Sequence, residues 1–528
     1  MTDTTHALAR FGRGSIDEVP REAFGNKAAN LAQMVALDVN VPPGFALGVS
    51  ICEDFHRGGG RLPADVPKLL ESGLRFLENA TGLRYGDRRR PLLVSVRSGA
   101  PVSMPGLMET LLNVGLNRQT LEGLVFMTGN PRFAWDSYRR LIQSMGQTVF
   151  SHEAGAYEAL LRRALNGEGV PDAIELDSGS LRKLATEYEE LFADLAGHRF
   201  PADVSEQLRL ATSAVLASAR GPRVEAFLKA EMLESAPSTA VIVQTMVFGN
   251  RGMNSGAGVA FTRDPSTGAN EMMVDFKFGV QGEDVVSGEA SGSMSEFKQG
   301  MPKMFRELER VCRRLERDSK DMQDIEFTVQ EGRLYILQTR AGKRAPLAAL
   351  RIAVEMVAEG LLTPAAGLIQ LGQIDPETVV MRRVDSHEEP LGFGEPASAG
   401  VASGRVALTR EKAETYALEG PAILVRNTLS PDDLPGVTAS AGVLAARGAR
   451  TSHAAVVARQ MGKVCIVNCP DLLVGTAEGT CRFGRREIAE GDVITLDGNS
   501  GAIYAGTVDV VEEEPTELIE TVRGWHSL

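Results

Sequence analysis

GARTSHAAVVARQMGKVCIVN, residues 448–468, follows the short apolar run AGVLAA at 441–446. The run reads as a buried strand that Gly448 breaks. Thr451 or Ser452 is suited to cap a new helix, which places His453 in its first turn. Val456, Val457 and Met461 are predicted to face a core, Gly462 ends the helix, and VCIVN is the next strand. A histidine at a strand-to-helix turn is exposed and nucleophilic. Backbone N–H groups at the helix start hold an anion formed there, and the helix dipole disfavours imidazolium, so the neutral ring is available near pH 7. The hydroxyls of Thr451 and Ser452 are placed to donate to phosphoryl oxygens, with Arg450 or Arg459 adding charge.

Outward from this turn, residues 401–510 alternate strands and helices. HEEPLGFGEPASAG, 387–400, is rich in proline, glycine and acid and is the best linker candidate. Leu347, Leu350, Val354, Val357 and Leu361 mark a helix with one apolar face before it. Further upstream, PLLVSVRSGA at 91–100 reads as a buried strand leaving through a glycine turn. Residues 120–230 are mostly helical by period, with stops at Gly129-Asn130-Pro131 and Gly221-Pro222. AVIVQTMVF at 240–248 and GAGVAFTRD at 256–264 read as neighbouring strands. DIEFTV at 324–329 and RLYILQTR at 333–340 read as a hairpin about Gln330-Glu331-Gly332. Residues 1–20 are predicted to be an edge strand or a loose start.

The 528 residues are 43% apolar and 24% charged with a net charge of −13, enough for several cores and unsuited to nucleic acid or an anionic membrane surface. No run of about 18 apolar residues is present, and the N-terminus has no signal-peptide core, so a cytoplasmic protein is expected. Five scattered cysteines make no zinc pattern and read as reduced thiols.

Several polar residues fit phosphoryl transfer, which needs charge clamps and metal more than covalent chemistry. Lys27 and Arg97 read as cations on loops beside strands; Arg97 leaves an apolar strand where an unpaired charge is costly. Asp324 and Glu326, two apart on a strand, share a face, and Gln338 and Arg340 on the partner strand share theirs. Oxygen ligands of this kind suit Mg²⁺. The glycine-rich GNRGMNSGAG, 249–258, fits a flap over phosphates.

TSHAAVVARQMGK resembles the phosphohistidine segment of the phosphoenolpyruvate-utilising enzymes, the family of pyruvate phosphate dikinase, phosphoenolpyruvate synthase and the sugar phosphotransferase enzyme I. PASAGVASGRV at 396–406, SPDDLPGV at 430–437 and GDVITLDGNSGAIYAG at 491–506 resemble the rest of the same swivelling domain. NKAANLAQM, VPPGF, LLVSVRSGAPVSMPGLMETLLNVGLN, FAWDSYRRLIQSMG, VQTMVFGNRGMNSGAGVAFTRDPSTG, QGEDVVSG and DIEFTV…LYILQTRAGKR resemble the ATP-binding region of the dikinase branch. Where relatives read GGKGANL, Gly25-Asn26-Lys27-Ala28 keeps the lysine and loses two glycines, a change that would weaken a close backbone approach to phosphate. Where relatives carry a second glycine before the TSH, this chain has Ala449.

The resemblance implies an α/β and α+β multidomain protein: ATP-grasp-like lobes over 1–340 with a helical subdomain at about 115–230, a helical connector and linker over 341–395, a swivelling β/α phosphohistidine domain over 396–510, and a tail over 511–528. It makes His453 the phosphoryl carrier and puts Lys27, Arg97, Glu283, Asp324, Glu326, Gln338 and Arg340 where the family handles ATP, with Glu326, Gln338 and Asp324 at Mg²⁺ and Arg97 and Arg340 taking part in catalysis. Arg139 or Arg140 is expected to add phosphate contacts. Thr451, Ser452 and Arg450 surround the carrier.

The tail after the swivelling domain is too short for the large pyruvate or phosphoenolpyruvate barrel of the full-length dikinase. The expectation is therefore an ATP-side half that loads His453 from ATP, with inorganic phosphate as a further reactant. It would hand the group to pyruvate through a separate acceptor protein. Two alternatives stay open: direct phosphorylation of another small molecule, and a non-catalytic nucleotide-binding regulator. The oligomeric state is open, a homodimer among the options.

Overall fold

A computed structural model describes residues 7–15, 17–99, 110–221, 224, 238–286, 292, 294–430 and 433–525, and of residues 453 and 454 the backbone alone. The chain forms two compact units, residues 1–255 with 335–338 and residues 256–334 with 339–528.

The first unit is built on a five-stranded sheet in the order Leu8–Phe11, Gly44–Leu47, Ala240–Thr245, Val94–Gly99, Thr110–Val114. Every neighbouring pair is antiparallel. Its apolar face is covered by helices, and Phe45, Val94, Val96, Val241 and Val243 share one core with Phe133, Leu141, Tyr188 and Leu208. Those last four lie on helices Pro131–Phe150, Ser178–Ala196 and Val204–Ser218, the helical stretch expected from the sequence. The stop at Gly129-Asn130-Pro131 works as a double cap: Gly129 closes Arg118–Thr128 at a φ of 64°, and the Asn130 side chain accepts from the Phe133 N–H to open the next helix. The Gly221-Pro222 stop extends outside the described residues.

Asp136 lies deep in this helical core, 3% exposed, with the Arg139 and Arg140 guanidiniums 2.6 and 3.0 Å away. Burial raises its carboxyl pKa, but the two cations outweigh that and hold it below the ordinary carboxylate range. Of the two residues expected as alternatives for a phosphate contact, Arg139 or Arg140, the Arg139 guanidinium is buried and bonded to Asp136. A buried carboxylate demands a partner, and a residue three positions along the same helix supplies it.

The second unit carries a four-stranded sheet in the order Arg333–Ala341, Gln323–Gln330, Gly256–Phe261, Met273–Phe278. The hairpin between Gln330 and Arg333 turns on Glu331 and Gly332, both at positive φ, 49° and 73°, as a two-residue turn matching strand twist requires. Ala240–Thr245 and Gly256–Phe261, read as neighbouring strands, belong to different sheets, because the segment between them passes from the first unit to the second. Arg263, at the end of Gly256–Phe261, is fully buried among Glu316, Glu355 and Glu359 at 2.8–3.0 Å. Glu316 comes from helix Pro302–Ser319, Glu355 from helix Pro346–Ala358, and Glu359 caps the latter.

An eight-stranded sheet follows, in the order Gly392–Phe393, Ala502–Ala505, Val493–Asp497, Val401–Ala407, Ala422–Thr428, Gly442–Arg447, Val464–Val467, Glu395–Ser398. Val401–Ala407, Ala422–Thr428, Gly442–Arg447 and Val464–Val467 run parallel. Helix His453–Gln460 is the crossover between the last two, so the strand–helix–strand reading of 441–468 holds. The linker expected over 387–400 is shorter than the composition suggested. Glu395–Ser398 pairs with Val464–Val467, and the longest run outside strands is 385–391. Pro396 is tolerated because that strand is at the sheet edge.

The chain enters this domain through Met381–Val384 and leaves through Val510–Glu513, an antiparallel pair with Arg382–Glu512 and Arg383–Glu513 ion pairs. Helix Thr516–Trp525 then packs on helices Pro346–Ala358 and Pro364–Leu371 around Leu350, Ala353, Val522 and Trp525.

Candidate functional site

Gly448 adopts a φ of 143°, which favours glycine, and turns the chain out of its strand. Ala449 is buried and has no positive φ, so the second glycine of relatives is not needed for backbone conformation here. Ser452 is the N-cap of helix His453–Gln460, its hydroxyl accepting from the Ala455 N–H at 3.4 Å. His453 is the first helical residue, as expected; its side chain lies outside the described residues. The buried side of the helix is Ala455, Ala458 and Arg459, whereas Val456 and Val457 are half-buried and Met461 is 44% exposed. The expected apolar face is met at Val456, which packs against the buried cluster around Val259 and Phe261, but not at the exposed Met461. The helix sits close on its sheet through alanines, a small-residue contact that a count of large apolar side chains overlooks.

The turn is held from outside its own domain. Asp275, on strand Met273–Phe278, is 2% exposed and accepts the Thr451 N–H at 3.1 Å. Burial pushes the Asp275 carboxyl up, and nearby Arg450 with the Thr451 bonds pulls it back in part. The Thr451 hydroxyl is buried beside the Asp275 carboxylate, at the start of the His453 helix. Arg450 sits 3.8 Å from Glu395. Arg459 is fully buried and ties the turn to a neighbouring strand: its Nε and Nη2 donate to the Ala397 carbonyl at 2.8 and 2.5 Å, and Nη2 also donates to the Arg450 carbonyl at 3.0 Å. Burial lowers its pKa to about 10, which leaves it charged near neutrality. Neither Asp275 nor Arg459's bonds carried a sequence signal, because both depend on pairings between distant strands.

On the four-stranded sheet, Asp324 is 3% exposed and its Oδ2 accepts from Arg340 Nε at 2.8 Å. Burial pushes the Asp324 carboxyl up while Arg340 opposes it. Asp324 Oδ1 is buried without a hydrogen-bond partner among the described residues. Glu326 follows on the same face, half-buried. Glu283 is exposed in the first turn of the short helix Gly282–Val286; the end of QGEDVVSG lies outside the described residues.

Two further residues belong to the first unit. Arg97 stands within strand Val94–Gly99, opposite Ile242 and Thr110, half-buried between buried neighbours. It is therefore on a central strand and not on a loop, because pairing with Ala240–Thr245 continues through Gly99. Lys27 lies in helix Arg21–Ala36, just after a break at Gly25, where φ is 73° and ψ 167°. Asn26 and Ala28 have no positive φ, so the lost glycines carry no backbone penalty. Gln338 is buried on strand Arg333–Ala341. The structure thus brings Asp324, Arg340 and Glu326 onto one sheet of the second unit and Thr451, Ser452 and Arg450 around the His453 turn. Gln338 lies two positions before Arg340 on strand Arg333–Ala341 of the same four-stranded sheet, whereas Lys27 and Arg97 are placed in the first unit. APVSMPGLME, 100–109, and Pro431-Asp432 of SPDDLPGV lie outside the described residues.

The sequence matches known proteins along nearly its whole length. Residues 60–295 and 301–360 match the pyruvate phosphate dikinase AMP/ATP-binding domain, and residues 418–501 match the mobile domain of PEP-utilising enzymes. The chain belongs to the pyruvate phosphate dikinase family of PEP-utilising enzymes. It is 39% identical over 99% of its length to the chloroplastic pyruvate, phosphate dikinase of Flaveria pringlei, covering 56% of that protein. It is 40% identical over 95% of its length to pyruvate, phosphate dikinase 2 of Zea mays, covering 58%, and 37% identical over 96% to the enzyme of Clostridium symbiosum, covering 59%. The chain therefore spans a little more than half the length of these relatives. No helix among the described residues is long and apolar enough to cross a membrane.

Proposed function

We propose that this chain performs the ATP-side half-reaction of a pyruvate phosphate dikinase: it takes a phosphoryl or pyrophosphoryl group from ATP onto His453 and passes it to an acceptor. The observation that carries the reading is the Asp275–Thr451 bond. A buried carboxylate of the nucleotide-lobe sheet grips the turn that starts the His453 helix, so the carrier is seated against that sheet. Lys27, Arg97 and Arg340 act as phosphate cations, with Glu283 and Gln338 at the nucleotide. Thr451, Ser452 and Arg450 meet the phosphoryl group on the carrier.

Mg²⁺ fits Asp324 and Glu326. The free Oδ1 of Asp324 is the kind of oxygen a hard cation takes. No cluster of three or more acidic, histidine or cysteine ligands exists among the described residues, which suits an ion held by one or two carboxylates together with substrate phosphates. When bound, the ion neutralises developing phosphate charge. The two strands Met381–Val384 and Val510–Glu513, with 385–391, are the connections about which the carrier domain would swing between ATP and an acceptor. Pyruvate is the acceptor favoured by the relatives, with inorganic phosphate as the second reactant.

The test is intact-protein mass after incubation with ATP, Mg²⁺ and phosphate. An acid-labile gain of one or two phosphoryl masses is expected in the wild type and none in His453→Gln. No gain in the wild type overturns the reading and favours a nucleotide-binding regulator.

A further inference from the structure

We propose that Arg459 is a catalytic residue that the carrier domain brings to the phosphates of the nucleotide, arriving and leaving with His453. The inference rests on the ATP-side function proposed above.

Arg459 is fully buried, and its Nη1 has no hydrogen-bond partner among the described residues, although Nε and Nη2 are bound to carbonyls. A guanidinium that only held the turn in place would have no reason to keep a buried donor unused. The guanidinium carbon lies 5.6 Å from the centre of the Phe261 ring. Phe261 stands directly opposite Asp324 in the antiparallel register of Gly256–Phe261 and Gln323–Gln330. Directly opposed residues project from the same face of a sheet as close neighbours. Arg459 therefore reaches, from the carrier domain, the face of the nucleotide-lobe sheet that holds Asp324 and Glu326. On that face Asp324 Oδ1 is also buried and unpartnered.

A free cationic donor and a free carboxylate oxygen on one face are complementary to a metal-bound phosphate, which offers a cation to the second and anionic oxygen to the first. Neutral water satisfies both atoms but uses neither charge. Asp324 is already neutralised in part by Arg340, so the charge of Arg459 is available to phosphate. Because Arg459 lies on the His453 helix, its charge is present only when the carrier is seated, as with an arginine supplied in trans to a phosphoryl-transfer site. In the step it assists, the imidazole lone pair forms the N–P bond. The P–O bond breaks with its electron pair going to the leaving phosphate oxygen, and the ring N–H proton is released to water. Arg459 offsets the charge that builds on the phosphoryl and leaving oxygens.

The experiment uses the full chain and the variants Arg459→Ala and Arg459→Lys. Labelling of His453 from ATP is compared with labelling from phosphoramidate, a small donor that needs no nucleotide lobe, and with ATP affinity and the thermal midpoint. ATP labelling is expected to fall by about 10³-fold or more in both variants, with partial recovery in Arg459→Ala on addition of free guanidinium. Phosphoramidate labelling is expected to fall far less than ATP labelling, by no more than the loss of the bonds to Ala397 and Arg450 brings. If Arg459→Ala does not fold, Arg459→Lys carries the test, since it keeps the charge and loses the planar fork. ATP labelling at the wild-type rate overturns the inference. So does a parallel loss of phosphoramidate labelling, which would make Arg459 a support of the turn alone. A wild-type chain that takes no label from ATP overturns the proposed function with it.

Discussion

Replacing Arg263 by methionine tests the charge cluster that ties the nucleotide-lobe sheet to the connector helix. The Glu316 side chain is 10% exposed and receives two Arg263 bonds, at 3.1 and 3.0 Å, and one from the Thr262 hydroxyl at 2.5 Å. Without Arg263 it becomes a buried carboxylate with a single neutral partner, a loss of about 3–5 kcal/mol. Glu355 and Glu359 are 35% and 36% exposed, and each pair adds about 0–1 kcal/mol after solvent screening. The expected total is about 3–5 kcal/mol, almost all from Glu316. Trp525 is buried on helix Pro346–Ala358, which carries Glu355, and the chain has two tryptophans. In a Trp135→Phe background, Trp525 fluorescence during urea unfolding therefore follows the second unit alone. Arg263→Met should lower the midpoint at unchanged slope, and Arg263→Met/Glu316→Leu should recover most of the loss, because it removes both charges. A single-variant loss below about 1 kcal/mol, or no recovery in the double variant, would refute the buried-charge account.

Asp136→Ala strands the buried Arg139 and is expected to cost about 3–5 kcal/mol in thermal or urea unfolding of the first unit. Because the folded Asp136 carboxyl lies below its ordinary value, its contribution is complete above the unfolded pKa of about 4 and is lost as pH falls below it; the gap between wild type and Asp136→Asn should narrow over that acid range. Asp275→Leu removes the acceptor of the Thr451 N–H, and a charged hydrogen bond worth about 1.5–3 kcal/mol translates to roughly 10- to 150-fold slower ATP labelling of His453; an unchanged rate would show that the seat does not govern loading. A Cβ at Gly448 meets nothing closer than 3.9 Å, so Gly448→Ala reads backbone strain alone, about 1–3 kcal/mol, in the melting of the carrier domain. Deleting two residues from 386–389 should abolish loading from ATP or transfer to the acceptor, and full activity in both half-reactions would rule out a swing about this connection.

Much of the carrier turn was legible in the order of residues. A glycine after an apolar run, a hydroxyl before the histidine and a glycine after the helix are local instructions, and local instructions survive without tertiary context. The hairpin at Glu331-Gly332 and the double cap at Gly129-Asn130-Pro131 were legible for the same reason. Reading failed where an outcome depended on what lay opposite. Arg97 looked like a loop cation because glycine follows it, yet strand Ala240–Thr245 keeps it paired. Arg139 or Arg140 read as a phosphate contact, and the burial of Asp136 beside Arg139 was not visible in that reading. The acid- and glycine-rich 387–400 looked like linker throughout, but Glu395–Ser398 found a partner about seventy residues later.

Local order alone is enough for the family, for a histidine at a helix start and for the alternating carboxylates of Gln323–Gln330, since side-chain periodicity and capping are properties of neighbours in the chain. Only the tertiary structure decided that Asp275 grips the Thr451 N–H, that Arg459 lies over Phe261 beside Asp324, and that the C-terminal helix returns to the connector. Each of these depends on burial and on pairing between segments tens to hundreds of residues apart. Desolvation there makes a single charge or hydrogen bond decisive, and nothing in the local order of residues encodes which partner will face it.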